Sequence, residues 1–262
     1  MRIPLLVTLL LLASLSRAEA SVQFDGSDDI LNCGSNSSVD DLNLSGGITV
    51  FMWAYIRGAG EGSFGRFISK DQNNSTGRWN FAINNGTATN SIFFQKDYDG
   101  ITDLSVQSDD NFYSTNEWQS VSFTWDGSLT ATNVHIYRNG VEATYFEQQD
   151  GTGSPVSDGV RSLCIGNGSG GTGTFNGFIS EVAIWNTVLS AEEIKLLHAA
   201  RVKGLPLTIQ KSSLKGYWPM DNYENNGVAT VSGSLIDRSL FTNNGSPSGN
   251  PVGKADDFVA YQ

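Results

Sequence analysis

The chain has 262 residues and a formal net charge of −11, with 27 acidic side chains against 16 lysines and arginines. An acidic surface of this kind repels phosphate backbones, so we expect no nucleic-acid partner; cations, neutral sugars and basic surfaces fit better. The length suits one large domain with its own core.

The first twenty residues predict a secretion signal. Arg2 supplies the positive charge, residues 5–12 form a short apolar run, and Ala18-Glu19-Ala20 is a small-x-small cleavage site. A buried hydrophobic element is the alternative interpretation of this run. Because the run is too short to cross a bilayer, we expect no membrane insertion. The sequence therefore predicts a signal peptide at 1–20 and a protein that is secreted or displayed on a cell or virion surface.

Strand patterns dominate the rest of the chain. In residues 48–56 aliphatic and aromatic side chains alternate, and both faces are apolar or half-apolar, as in a central strand of a sandwich. Asn139-Gly140 is the pair that a type I′ hairpin turn favours, since both positions need a positive φ. Further strand-like runs lie at 66–68, 79–83, 92–94, 118–125, 134–137 and 141–146.

One helix is predicted, from about 190 to 202. Ser190 and Glu193 have the spacing of a capping box, and Gly204 followed by a proline is a helix stop signal. Many short strands with one late helix indicate an all-β, antiparallel two-sheet sandwich with one short helix on the C-terminal side.

Five segments carry motifs in a fixed order, at residues 24–29, 117–127, 136–140, 175–194 and 217–221. Together they resemble the motifs of laminin-G-like and pentraxin-like jelly-roll domains, in the concanavalin A-like lectin/glucanase superfamily. The resemblance implies a jelly roll of two packed sheets, each of six or seven strands, with the helix on a sandwich edge. It implies one such domain over 21–262, with a loop-rich tail after about residue 222.

Three carboxylates follow the first predicted strand. Asp25, Asp28 and Asp29 lie within five residues on a predicted loop, and Ca²⁺ prefers six to eight oxygen ligands. The resemblance implies a structural calcium here, joined by a carboxylate from the 175–194 stretch. Ser180 replaces the family's aspartate in that stretch, so Glu181 is the remaining candidate. An acidic turn without metal is the alternative.

The two cysteines are Cys33 and Cys164, each inside an apparent strand. Export makes a disulfide chemically feasible. One bridge and two buried thiols both stay open, because the geometry decides between them.

No catalytic constellation is predicted. Retaining glycosidases need two carboxyl groups about 5 Å apart, which on one strand requires an even spacing. Glu142 and Glu147 are five residues apart and would point to opposite faces of a regular strand. A glycan-cleaving enzyme is therefore only the third hypothesis.

A sugar-binding loop is predicted around Tyr98. Sugar sites use aromatic faces together with polar groups that bind hydroxyls. Tyr98 is flanked by Asp97 and Asp99 after an apolar strand, and Tyr113 lies near another polar loop. These four residues are the predicted ligand site.

The sequence thus predicts an exported, non-catalytic, lectin-like module whose partner is a glycan or cell-surface polysaccharide. Because one aromatic contact contributes only about 1 kcal/mol, useful avidity would need several copies side by side, as in a homo-oligomer. The alternative is a structural or adhesive component of a virion or cell surface that binds no glycan.

Overall fold

The computed structural model describes residues 20–71, 77–84, 86, 88–221 and 235–255. The predicted signal segment lies outside the described residues except for Ala20, which begins the first strand. The strands are β1 (Ala20–Asp25), β2 (Ile30–Asn32), β3 (Ile48–Gly58), β4 (Arg66–Lys70), β5 (Trp79–Asn84), β6 (Ser91–Lys96), β7 (Leu104–Ser108), β8 (Trp118–Trp125), β9 (Val134–Arg138), β10 (Val141–Glu142), β11 (Tyr145–Gln149), β12 (Cys164–Ile165), β13 (Asn176–Trp185), β14 (Leu214–Trp218), β15 (Ser246–Ser248) and β16 (Val252–Ala255). The α-helix is α1 (Ala191–Ala200).

The strands form two antiparallel sheets that pack face to face, which confirms the predicted sandwich. The first sheet has the order β10-β9-β8-β3-β13-β1-β16, and β14 pairs with the far half of β13. The second sheet has the order β11-β7-β6-β5-β4-β12-β2-β15. Within the described residues each sheet has eight strands, rather than six or seven.

The additional strands come partly from the predicted tail. β15 pairs with β2 in the second sheet, and β16 pairs with β1 in the first. The segment 235–255 is therefore part of both sheets, whereas 222–234 and 256–262 lie outside the described residues.

Side-chain alternation along β3 explains why both of its faces are apolar. Val50, Met52 and Ala54 point into the core between the sheets. Phe51 and Trp53 point outward into a second apolar cluster. Two faces of one strand therefore serve two different cores.

The second cluster lies beneath α1. Ile194 and Leu197 of the helix are buried against the outer face of the first sheet. The helix therefore lies on a sheet face and not on a sandwich edge, because the outer face of β3 carries large apolar side chains that need cover.

The helix lies at nearly the predicted residues, about 190 to 202. The Ser190 hydroxyl accepts a hydrogen bond from the backbone N–H of Glu193, and the Ser190 N–H donates to the Glu193 carboxylate at 2.8 Å, which completes the capping box. At the other end α1 stops at Ala200, close to the predicted end, and Arg201, with φ of 45°, occupies the C-cap position before Gly204.

Candidate functional site

The predicted sugar-binding tyrosine is a core residue. Tyr98 is 3% exposed, and its hydroxyl donates to the Ser128 carbonyl at 3.1 Å. It continues the inward alternation of Phe94 on β6, and it forms an isolated antiparallel bridge with Pro155. The expectation of an exposed stacking face at Tyr98 is therefore wrong.

The flanking aspartates bind other parts of the protein. Asp97 forms an ion pair with Arg78 at 2.7 Å, and burial raises the pKa of Asp97 to about 6, against the lowering effect of Arg78. The Asp99 carboxylate accepts the backbone N–H of Ser154. Tyr113 is 2% exposed within the core. The four predicted ligand residues thus form no open site in the folded chain.

The three aspartates of the opening loop do come together. One oxygen from each of Asp25, Asp28 and Asp29 lies within 4.8 Å of the others. The buried Asp29 accepts N–H groups from Asp25 at 2.9 Å and Asn250 at 2.7 Å, and burial raises its pKa. Asp25 and Asp28 are exposed. The donor set suits a hard cation, with Asp29 also organising the turn.

Glu181 does not belong to that cluster, so its predicted role as a partner of Asp25 is wrong. The register pairs Asp25 with Asn176, which places Glu181 five residues farther along β13, about 16 Å away by strand geometry. Instead, Glu181 lies in a β-bulge with φ of 52°, in the segment where β13 changes partner from β1 to β14.

The bulge directs the Glu181 carboxylate into a buried polar contact. Its Oε2 accepts the hydroxyl of Tyr217 at 2.5 Å and the N–H of Gly204 at 3.4 Å. Its Oε1 has no hydrogen-bond partner within the described part of the chain. Burial raises the pKa of Glu181 to about 7, although the bond from Tyr217 and the charge of Lys203 oppose this effect.

The two cysteines are buried free thiols. Cys164 lies opposite Asn32 in the ladder, so these two side chains share one face of the second sheet. Cys33 is the next residue after Asn32 and points into the core on the other face. Burial raises the pKa of Cys164 to about 12 and that of Cys33 well above its usual value. The strand register therefore separates the sulfurs although the strands are adjacent.

An open groove of about 520 Å³ lies between the loop around 109–112 and the β9–β10 hairpin. Asp110 uses one oxygen to bind the Thr89 N–H, and Glu142 binds His135 at 2.7 Å and the Tyr145 hydroxyl at 2.9 Å. Polar side chains of this groove are thus already hydrogen-bonded to other residues of the protein, which leaves them less free to bind a ligand.

A second opening lies on the outer face of the first sheet, over three aromatic residues that we call the aromatic row: Tyr55, Trp118 and Phe178. The register pairs Tyr55 with Trp118 on one side and with Phe178 on the other. Ring centroids lie 5.8 Å apart for Tyr55–Trp118 and 5.6 Å apart for Tyr55–Phe178. With Arg57, the row lines a pocket of about 280 Å³.

The helix leaves this row uncovered. Trp53, two residues before Tyr55 on the same face of β3, is 3% exposed, and its ring lies 5.4 Å from that of His198 on α1. Tyr55 and Trp118 remain partly exposed, whereas Phe178 is buried beside them. An aromatic surface bounded by α1 is therefore open to a ligand.

Sequence reasoning missed this row, although part of its signal was present. The alternation in 48–56 places Phe51, Trp53 and Tyr55 on one face of the strand. Trp118 and Phe178 are more than fifty residues from Tyr55 and from each other, and strand pairing alone brings the three together.

Comparison with known proteins supports the same fold. The Laminin_G_3 family model, described as concanavalin A-like lectin/glucanases superfamily, matches residues 25–195 and confirms the resemblance. No curated protein sequence matches the chain. Among the described residues, no helix is both long enough and apolar enough to cross a bilayer.

Solved structures that align with this chain share little sequence with it. A proposed carbohydrate-binding protein from Bacteroides ovatus aligns with a TM-score of 0.55 and 16% identity, over 92% of this chain and 61% of its own. This chain thus spans less than two thirds of that protein. A heptameric SAP-like pentraxin from Limulus polyphemus has a TM-score of 0.49 and 12% identity, over 74% and 87%. The CBM40 module of a Ruminococcus gnavus sialidase has a TM-score of 0.48 and 14% identity, over 68% and 96%.

Proposed function

Because the chain belongs to the Laminin_G_3 family of the concanavalin A-like lectin/glucanases superfamily, we propose that it is an exported, non-catalytic module that binds glycans through the aromatic row. The observation that carries the proposal is the open pocket over Tyr55, Trp118 and Phe178, next to the part of the sheet that α1 covers. The carbohydrate-binding description of the Bacteroides ovatus neighbour agrees with this class of ligand.

The chemistry of the row suits a sugar ring. The C–H faces of a pyranose are apolar and pack on aromatic rings, while its hydroxyls stay hydrated or bind polar groups at the rim. Tyr55 contributes both a ring and a hydroxyl, and Trp118 contributes the largest ring of the row. Since each aromatic contact is worth on the order of 1 kcal/mol, a single site binds weakly, and several copies displayed together would supply avidity.

The acidic cluster is the second part of the proposal. Asp25 and Asp28 are exposed beside the buried Asp29, and we assign them a structural calcium ion. Such an ion would fix the loop between β1 and β2 without taking part in any reaction.

The experiment compares Trp118→Ala with the wild type on a glycan array and by titration with the strongest array ligand. We expect Trp118→Ala to lose binding while the far-UV spectrum is retained. Phe146→Ala is the control, because Phe146 is an aromatic residue, 55% exposed, on β11 of the other sheet. Equal binding by the wild type and Trp118→Ala would place the site elsewhere. A wild type that binds no glycan would favour the structural or adhesive role, and release of reducing sugar would contradict the non-catalytic assignment.

A further inference from the structure

One cation lies at the rim of the aromatic row. The Arg57 guanidinium carbon is 4.4 Å from the centroid of the Phe178 ring, and the side chain is exposed. Within the described part of the chain, Arg57 has no ion pair and no hydrogen bond from its guanidinium. Four other arginines each pair with a carboxylate at 2.9 Å or less: Arg66 with Asp71, Arg78 with Asp97, Arg138 with Glu117 and Arg238 with Asp221.

This arrangement prepares Arg57 for a planar anion. The guanidinium carbon lies over the Phe178 ring, and the N–H groups donate to no other described residue. Such N–H groups match the two oxygens of a carboxylate, which a guanidinium binds with two parallel hydrogen bonds. Because the aromatic contact restrains the side chain, less conformational entropy is lost when the anion binds.

The acidic side chains near Arg57 determine whether an anion can bind there. Asp25 points to the same side of the sheet two strands away, since the register pairs it with Asn176 and Asn176 with Gly58. Two strand spacings separate the two backbones by about 10 Å, and the Asp25 carboxylate forms no ion pair with Arg57 in the described part of the chain. A carboxylate in direct contact with Arg57 is therefore stabilised locally, although the net charge of −11 slows the approach of anionic ligands.

We propose that the aromatic row selects a sugar residue that carries a carboxylate, such as a uronic acid, with its ring over Trp118 and Tyr55 and its carboxylate on Arg57. The inference rests on the proposed function, because it concerns the same pocket. A volume of about 280 Å³, lined by the aromatic row and Arg57, accommodates a single sugar residue and not a long stretch of chain.

The test uses methyl β-D-glucuronide and methyl β-D-glucoside, which differ only in a carboxylate against a hydroxymethyl group. Titrations followed by NMR should give a Kd at least fivefold lower for the glucuronide with the wild type. Arg57→Gln should bring the ratio of the two Kd values to about one. Arg57→Lys should give an intermediate ratio, since lysine keeps the positive charge but cannot donate two parallel hydrogen bonds to one carboxylate. Thermal melting of both variants checks that the exposed substitution leaves the fold intact.

The outcomes separate this inference from the proposed function. Equal affinity of the wild type for both glycosides, or an unchanged ratio in Arg57→Gln, overturns the inference and leaves glycan binding in place. Tighter binding of methyl glucoside 6-sulfate than of the glucuronide overturns the assignment to a carboxylate. Binding of neither glycoside, together with a blank glycan array, overturns the proposed function and this inference with it.

Discussion

The buried carboxyl of Glu181 should make the stability of the protein depend on pH. Its pKa is raised from 4.5 to about 7, chiefly by burial, so the folded state favours the protonated form. A raised carboxyl pKa contributes stability that is fully present below pH 4.5 and is lost as the pH rises through about 7. The difference between the two pKa values corresponds to about 3 kcal/mol.

Glu181→Gln removes this titration and keeps the side-chain shape. The amide oxygen can still accept the hydrogen bonds from Tyr217 and Gly204 that Oε2 accepts now. The amide nitrogen would take the place of Oε1, for which the described residues offer no hydrogen-bond partner. The variant therefore loses some stability at every pH. The test is how the difference in free energy of unfolding between variant and wild type changes with pH.

Urea unfolding of both proteins from pH 4.5 to 8.5 measures this change. We expect the free energy of unfolding of the variant, relative to that of the wild type, to rise by about 3 kcal/mol between pH 4.5 and 8. Asp97, with its pKa near 6, titrates in both proteins and cancels in the difference. Glu192→Gln, which replaces an exposed carboxylate on α1, is the control and should follow the wild-type profile. Parallel profiles for Glu181→Gln and the wild type would refute the reasoning.

The buried Tyr98, the acidic loop and the two thiols can each be tested by a single measurement. Tyr98→Phe removes the hydroxyl that donates to the Ser128 carbonyl, so urea unfolding should show a free energy of unfolding lower by about 1 kcal/mol, with glycan binding unchanged. A variant that is as stable as the wild type but no longer binds glycan would show that Tyr98 is a ligand residue after all. A chelator should lower the wild-type melting temperature and have no effect on Asp28→Asn, and elemental analysis that finds no metal in the wild type would remove the calcium site. The thiols of Cys33 and Cys164 should react with a thiol reagent only after unfolding, and an intact mass two hydrogens short would instead indicate a bridge.

Much of the fold could be predicted because its signals are local. Alternation in 48–56 identified β3, Asn139 and Gly140 both have positive φ in the β9–β10 turn, and the Ser190–Glu193 capping box marked the start of α1. Such patterns act over a few residues and need no knowledge of distant partners. The ordered motifs then identified the family, which the match over residues 25–195 confirms.

The candidate site depended on contacts between distant segments. Tyr98 looked exposed because aspartates flank it, yet the chain around Pro155 pairs with it and its ring lies in the core. The aromatic row exists only because β8 and β13 pair with β3 on either side of Tyr55. Sequence alternation shows which side chains share a face of a strand. Whether that face is covered by a helix, buried by a distant loop or left open is decided only when the sheets, α1 and the long loops pack, because cover is a property of the assembled surface and not of the strand.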